Sequence, residues 1–350
     1  SPYEGRSPHL DVVALRVEAL DLLQRGAGVV VTTASALLSH TLSPDLYELA
    51  VMDLSVSQNA DLQELVTHLA ETGYERVKRV EGVGQFSVRG GILDVCSFGN
   101  DHPVRLEFWG DEITSIRAFN LATQRSVEKL EHVRLLPARE VVFVETMQDA
   151  YQENLVALEK RLDIDLTVLR ESLATEGAFD GAEQYLGALY EGTCTFFDHL
   201  ASDGLVYVDD PPGVETALEE ASDRIHKAAA RKKPRREEPE TLPASEVAVT
   251  VGSVQSHLSS RALIENEMLG KADDSLDFGG ITARKYEGHL AVLDEDLTRL
   301  WRDDYDLVLL CESQGQKARM EELLVECRAT LAIDIGTLQT GFIYPAGRVA

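Results

Sequence analysis

The chain has 350 residues, 44% of them hydrophobic and 27% charged, which is ordinary for a globular protein with room for two or three domains. It contains no run of eighteen apolar residues, and its start lacks the basic and apolar regions of a signal peptide. We therefore expect a cytoplasmic protein without a membrane span.

The formal net charge is −27, because 60 acidic residues face only nine lysines and twenty-four arginines. An acidic surface poor in lysine is what a salt-rich cytoplasm favours, since salt screens the self-repulsion. The alternative is a surface that excludes nucleic acid or meets a basic partner. In either case we expect weak DNA binding, because phosphate contacts need concentrated positive charge.

The four cysteines are scattered, without a C-x-x-C pair or a histidine at metal-ligand spacing. The nine histidines form no H-x-x-x-H or H-E-x-x-H pattern either. We expect buried, reduced thiols and no metal site.

The first part of the chain, residues 1–73, has the pattern of a parallel α/β domain. Its apolar spacing predicts an opening helix, and GVVVTT (28–33) and VMDLSV (51–56) are predicted strands. A helix should follow in 59–74, with Asn59 or Asp61 as its cap.

Residues 74–140 change to short, strongly alternating segments joined by short turns, which predicts an antiparallel, β-rich inserted domain. The region 141–275 returns to α/β, with a helix in 151–174 and a short buried strand at 205–208. Within it, the charged segment 227–243 has no apolar period and is predicted to be a surface linker or a frayed helix end. Residues 276–350 form one more small α/β unit.

Catalytic patterns are weak throughout the chain. No G-x-x-x-x-G-K-[ST] phosphate loop occurs. Asp209 and Asp210 follow an apolar strand, as magnesium-binding acids do in ATPases, but without a phosphate loop they are better explained as turn formers. Ser313 in CESQG partly matches a nucleophile elbow and is better explained as a helix cap.

The β-rich segment carries a different kind of candidate site. In VRLEFWG (104–110), alternation that buries Val104, Leu106 and Phe108 leaves Arg105 and Trp109 together on the other face. The same alternation in QFSVRGG (85–91) turns Arg89 outward. Because the apolar parity shifts after Gly90-Gly91, these glycines are predicted to form a β-bulge. Exposed arginines and tryptophan on a rigid sheet are typical of protein-binding hot spots.

These residues belong to a longer pattern, which comprises YERV (74–77), FSVRGGILDV (86–95), PVRLEFWGDEI (103–113), TQRS (123–126) and LPARE (136–140). The pattern resembles the bacterial transcription-repair coupling factors, whose amino-terminal region is shared with the excision-repair subunit UvrB. The resemblance extends more weakly over the whole chain, from SPHLDVVALR (7–16) to LVLLCES (307–313).

The resemblance implies a degenerate RecA-like, P-loop-ATPase-like domain without a nucleotide site. That domain is split by a small antiparallel β-rich domain that binds UvrA and is followed by a small α/β domain. It implies a non-catalytic chain without a cofactor. ATP, Mg²⁺, RNA polymerase and DNA would belong to a translocase part beyond Ala350, and the first domain would be truncated at its start.

By the same resemblance, Arg89, Arg105 and Trp109 are the residues that contact UvrA, although the aromatic residue is more usually phenylalanine. The resemblance leaves open whether other domains of the full-length protein mask this surface. Two alternatives remain: a fragment of UvrB itself, and an autonomous ATPase or nuclease that uses Asp209 and Asp210.

Overall fold

The computed structural model describes residues 3, 7–26, 28–179, 181–190, 194–231, 242–266, 279–286, 288–325, 327, 329–338 and 340–350. The chain divides into two compact units, residues 1–268 and 269–350. The expected border between residues 275 and 276 lies outside the described residues.

Eleven α-helices are present in the described ranges. They are α1 (Leu10–Gln24), α2 (Pro44–Ala50), α3 (Leu62–Glu71), α4 (Gln148–Leu162), α5 (Thr167–Glu176), α6 (Leu186–Leu189), α7 (Pro211–Arg231), α8 (Ala244–Val247), α9 (Val251–Ser259), α10 (Leu290–Arg302) and α11 (Gln314–Leu323). Among these residues, no helix combines the length and the apolar character needed to span a membrane.

The strands are β1 (Met52–Ser55), β2 (Glu75–Arg76), β3 (Gln85–Arg89), β4 (Ile92–Cys96), β5 (Val104–Trp109), β6 (Glu112–Phe119), β7 (Ser126–Leu130), β8 (His132–Leu135), β9 (Leu205–Asp209), β10 (Ala262–Asn266), β11 (Ile281–Thr282), β12 (Leu307–Cys311), β13 (Leu331–Ile335) and β14 (Phe342–Ile343). They form one six-stranded sheet in the order β2-β3-β4-β5-β6-β7 and four two-stranded sheets. The fold is therefore mixed α/β with several small sheets.

The six-stranded sheet contains the strands between residues 75 and 130, whereas β8 of the same predicted domain pairs outside it. Its strands β3 to β7 pair antiparallel, as predicted, whereas the short β2 pairs parallel with β3. The inner face of the sheet, with Phe86, Leu93 and Leu106, belongs to the main hydrophobic core of the first unit. Alternation therefore decides which side chains remain on the outer face.

Gly90 and Gly91 do not form the predicted bulge. Because Arg89 lies opposite Ile92, the two glycines are the two-residue loop of the β3–β4 hairpin, and this loop alone produces the parity shift. Gly90 has φ +60°, which favours glycine. A Cβ on Gly91 would lie 2.9 Å from the Phe108 carbonyl oxygen, so the backbone of β5 approaches too closely for a side chain.

A register shift does occur one hairpin later. Glu107 lies opposite Ser115, and Phe108 lies opposite Ile113, which leaves Thr114 of β6 as the extra residue. The Thr114 hydroxyl donates a 3.0 Å hydrogen bond to the Glu107 carbonyl oxygen. The bulge therefore lies on β6, beside the tip that carries Trp109.

The first 73 residues only partly follow the expectation. The opening helix, the strand at β1 and α3 are confirmed, and the Asp61 carboxylate caps α3 by accepting from the amides of Gln63 and Glu64. The predicted strand at 28–33 is wrong, because Val29 and Val31 are 85% and 92% exposed and no described strand pairs with this segment. An apolar run without a ladder partner cannot satisfy its backbone as a strand.

Strand β1 pairs antiparallel with β8 and not within a parallel sheet. A charge network also holds this pair to α1. The Arg134 guanidinium donates to carboxylates of Asp21, Glu48 and Asp53. The sheet region and the first helix are therefore joined by ion pairs as well as by the shared core.

The later elements bring two further corrections. The predicted helix 151–174 is divided into α4 and α5, because Asp163 takes a left-handed conformation with φ +54°. Strand β9 forms at the predicted place and pairs parallel with β10, but it is not buried, since Leu205 and Tyr207 are more than half exposed.

Of the predicted linker 227–243, residues 227–231 are the end of α7, and 232–241 lie outside the described residues.

The second unit contains the predicted succession of helix, strand, loop and helix as α10, β12 and α11, with β13 parallel to β12. Leu293 and Leu297 of α10 pack with Leu307 of β12 in a separate small core. Apolar spacing in one helix and one strand therefore predicted this part well.

Candidate functional site

The candidate site is the outer face of the six-stranded sheet, on strands β3 to β7. Asp94 lies opposite Arg105, Arg105 opposite Arg117, and Arg117 opposite Lys129, which makes one continuous row across four strands. Cations outnumber carboxylates three to one in this row. The chain as a whole has a net charge of −27, so this row is a positively charged patch on a negatively charged protein.

Asp94 is the centre of the face and is 1% exposed. Its Oδ1 accepts a 2.6 Å hydrogen bond from Arg105 Nε, and its Oδ2 accepts one of 2.8 Å from Arg105 Nη2. The same Oδ2 accepts a third bond, 2.6 Å long, from Arg89 Nη2. A buried carboxylate is tolerable because it is paired in this way.

Arg105 is held on two sides. Beside the bidentate contact with Asp94, its guanidinium carbon lies 4.8 Å from the centre of the Phe119 ring, a cation–π contact. The side chain is 20% exposed, and the hydrogen bonds that it donates to Asp94 hold the pKa of Arg105 above its ordinary value. Arg105 is therefore a permanently charged group in a fixed position, and part of its side chain is exposed.

Arg89 and Trp109 are more exposed. The Arg89 side chain is 51% exposed and has a single bond to Asp94. Trp109 is 82% exposed at the end of β5 and lies on the same face as Arg105, four residues further along the strand. A large aromatic side chain left in water at a hairpin tip offers apolar contact area to another molecule.

Glu107 and Arg117 complete the face. Glu107 lies between Arg105 and Trp109 along β5, and its carboxylate is 3.7 Å from Arg117 Nη2. Arg117 Nε donates to the Ser115 hydroxyl at 2.9 Å. The face thus presents several guanidinium groups whose positions are set by neighbouring side chains.

The acid pair considered for metal chemistry has local structural partners. Asp209 accepts a 2.7 Å hydrogen bond from the Asn266 amide of the neighbouring strand. Asp210 has φ +57°, and its carboxylate accepts from the Gly213 amide at 3.3 Å in the first turn of α7. Asp210 therefore acts as the predicted turn former, whereas Asp209 is the last residue of β9 and its side chain bonds to the neighbouring strand β10.

Ser313 is also structural. Its hydroxyl accepts from the Gln316 amide at 3.3 Å and caps α11, as expected. Among the described residues, no cluster of three or more histidine, cysteine, aspartate or glutamate side chains is arranged to hold a metal ion.

The structure places Arg89, Arg105 and Trp109 on one face, where alternation put them. Sequence reasoning missed Asp94, Phe119 and Arg117. A signal for Asp94 existed, because a lone carboxylate in the apolar segment ILDVC needs a cation when it is buried. The Phe119 contact depends on the register between β5 and β6, which the sequence does not reveal.

Comparison with known proteins finds a family model that matches the region of this face. The family model described as the UvrB interaction domain matches residues 52–141, which contain the entire outer face. The chain is also similar to a transcription-repair-coupling factor of Myxococcus xanthus, with 32% identity over 349 residues. That alignment covers 93% of this chain and 29% of the relative.

Two further relatives give the same result. A transcription-repair-coupling factor of Mycobacterium tuberculosis is 36% identical over 230 residues, covering 61% of this chain and 18% of the relative. One of Escherichia coli is 32% identical over 140 residues, covering 40% and 12%. The chain thus spans less than a third of these relatives. It is related to the amino-terminal region of the transcription-repair-coupling factors, and its residues 52–141 match the UvrB interaction domain.

Proposed function

We propose that this chain is a recruitment module that binds UvrA through the outer face of its six-stranded sheet. The observation that carries the proposal is the coincidence of the matched family region with a cationic row and an exposed tryptophan. In the full-length protein, such a module would bring nucleotide excision repair to RNA polymerase stalled at DNA damage.

The contact residues would be Arg89, Arg105 and Trp109. The arginines suit carboxylates, because guanidinium groups donate in a planar fork, and Trp109 supplies apolar area at low entropic cost. Interfaces concentrate their binding energy in such arginine and aromatic anchors.

The scaffold around the face would be a degenerate ATPase-like domain, split by the inserted sheet domain and acting without a bound cofactor. Support comes from the absence of a phosphate-loop motif in the sequence and from the structural roles of Asp209 and Asp210. ATP-driven translocation, RNA polymerase binding and DNA binding would belong to parts of the full-length protein outside this chain.

Calorimetric titration of UvrA into the chain tests the proposal. Trp109→Ala should weaken binding about tenfold or more, since loss of an aromatic anchor typically costs about 2 kcal/mol. Trp301→Ala is the matched control, because Trp301 is also partly exposed and lies outside residues 52–141. Equal losses in both variants, or no binding by the unaltered chain, would contradict the proposal.

The alternatives predict other results. A UvrB fragment is disfavoured by relatives named as coupling factors that align over up to 93% of the chain. An autonomous ATPase or nuclease built on Asp209 and Asp210 predicts saturable ATP binding, lost in Asp210→Asn. The recruitment module predicts no such binding in the same titration.

A further inference from the structure

We propose that Asp94 is the positioning residue of this surface, which holds Arg105 and Arg89 as a ready-made receptor for one carboxylate of the partner. The inference rests on the proposed function and goes beyond it, because Asp94 would act without touching the partner. With 1% exposure it lies below the surface that a partner can reach.

The cost of burying Asp94 argues against a purely stabilising role. Buried ion pairs are often replaceable by apolar side chains of similar volume without loss of stability. The flanking residues Leu93 and Val95 point into the core and are fully buried, so β4 is secured by apolar contacts on its other face. A carboxylate at this place is better explained by what it does to the arginines.

Asp94 binds the two guanidinium groups but does not use all of their hydrogen-bond donors. A guanidinium has five N–H groups, and Asp94 takes two from Arg105 and one from Arg89. Two positive charges share one negative charge, so this three-residue group keeps one positive charge. A single partner carboxylate matches that charge and the planar geometry of the donors.

The two arginines would have different roles. Arg105 is held by its hydrogen bonds to Asp94 and by the Phe119 ring before any partner binds. It therefore loses little conformational entropy on binding. Arg89, with its single bond and half-exposed side chain, can adjust to the partner. The surface therefore combines one rigid donor with one adaptable donor.

The test uses a variant for which net charge and positioning predict opposite changes in affinity. Removing a negative charge from a surface that binds an acidic group should strengthen binding if only net charge matters. Asp94→Asn should instead bind UvrA about tenfold more weakly, because both arginines lose their positions. Glu107→Gln is the matched control, since it removes a carboxylate from the same face whose ion pair is with Arg117, and it should bind as tightly or more tightly.

Two further variants separate positioning from folding. Arg105→Lys keeps the charge but loses the planar guanidinium that binds Asp94 with two hydrogen bonds. It should weaken binding and leave the near-ultraviolet circular dichroism spectrum unchanged. The double variant Arg105→Ala with Asp94→Asn should lose less binding free energy than the two single losses added together, because part of the effect of Asp94 passes through Arg105 and the rest through Arg89.

The outcomes are distinct. Binding of Asp94→Asn or Arg105→Lys at the unaltered affinity would overturn the inference and leave the proposed function standing. Equal changes in the same direction for Asp94→Asn and Glu107→Gln would also overturn it. No binding by the unaltered chain would overturn the proposed function, and this inference with it.

Discussion

At the scale of single residues, buried polar groups divide into those that orient the candidate site and those that only belong to the fold. Asp94 is of the first kind. His199 is of the second: it is 3% exposed, and its Nε2 lies 2.8 Å from the Leu42 carbonyl oxygen, which it meets as a neutral N–H donor. Its Nδ1 is buried and has no hydrogen-bond partner within the part of the chain that the structure describes.

The environment of His199 predicts a pH dependence of stability. Burial lowers the pKa of His199 below its ordinary 6.5. Below pH 6.5 the histidine is therefore protonated more readily in the unfolded chain than in the folded chain. Stability should fall as the pH drops below about 6.5, by at most about 1.4 kcal/mol for each pH unit from this group.

Urea unfolding at pH 7 and pH 5 measures this effect. His199→Gln, whose amide can still donate to the Leu42 carbonyl, should show a smaller difference between the two pH values than the unaltered chain. His226→Gln serves as the control, because His226 is exposed on α7. An undiminished pH difference in His199→Gln would show that this histidine does not titrate as described.

At the scale of elements, the β3–β4 hairpin sets the position of the site. Gly91 should be less replaceable than Gly90, although both lie in the loop. Gly91→Ala places a methyl group 2.9 Å from the Phe108 carbonyl oxygen and should cost about 1–3 kcal/mol by overpacking. Gly90→Asn should cost less than about 1 kcal/mol, since asparagine tolerates φ +60° and the space around Gly90 is open.

Denaturant unfolding of both variants checks the ranking. Because Phe108 directly precedes Trp109, Gly91→Ala should also weaken UvrA binding, whereas Gly90→Asn should not. A larger loss of stability in Gly90→Asn would mean that the backbone conformation of the loop, and not its approach to β5, requires the glycine pair.

The same hairpin shows what alternation can and cannot predict. Period-two spacing put Arg89, Arg105 and Trp109 on one face, and the register agrees. The parity shift at Gly90-Gly91 was interpreted as a bulge, because a two-residue loop and a bulge change the parity equally. Only the pairing of Arg89 with Ile92 distinguishes them.

Pairing partners also explain the failures elsewhere. The segment 28–33 and strand β9 both have strand-forming residues, yet the first has no ladder in the described residues and the second has only β10. Burial of an apolar strand depends on neighbours that are distant in sequence, which local patterns do not contain. Helix caps such as Asp61 and Ser313 were predicted correctly because they depend on three or four consecutive residues.

At the scale of the whole molecule, the charge of −27 predicts a response to salt. If the acidic surface is an adaptation to a salt-rich cytoplasm, raising KCl from about 0.1 M to about 1 M should increase the thermal midpoint, because the screening length falls from about 10 Å to about 3 Å. A midpoint that falls over this range would contradict the adaptation.

The whole chain is less than a third of the length of the relatives described above, so its place in a larger protein depends on the surfaces it presents. The acidic composition of the chain and the cationic row of the outer face together favour an acidic partner at that row. This contrast of charge gives the proposed recruitment its specificity.

Photochemical crosslinking tests the central claim most directly. With the photoreactive residue p-benzoyl-phenylalanine in place of Trp109, irradiation in the presence of UvrA should give a covalent adduct of the two proteins, and unlabelled chain should compete it away. The same residue in place of Trp301 should give little or none. An adduct from position 301 alone, or none from position 109 under conditions where calorimetry shows binding, would contradict the assignment of the outer face as the UvrA-binding surface.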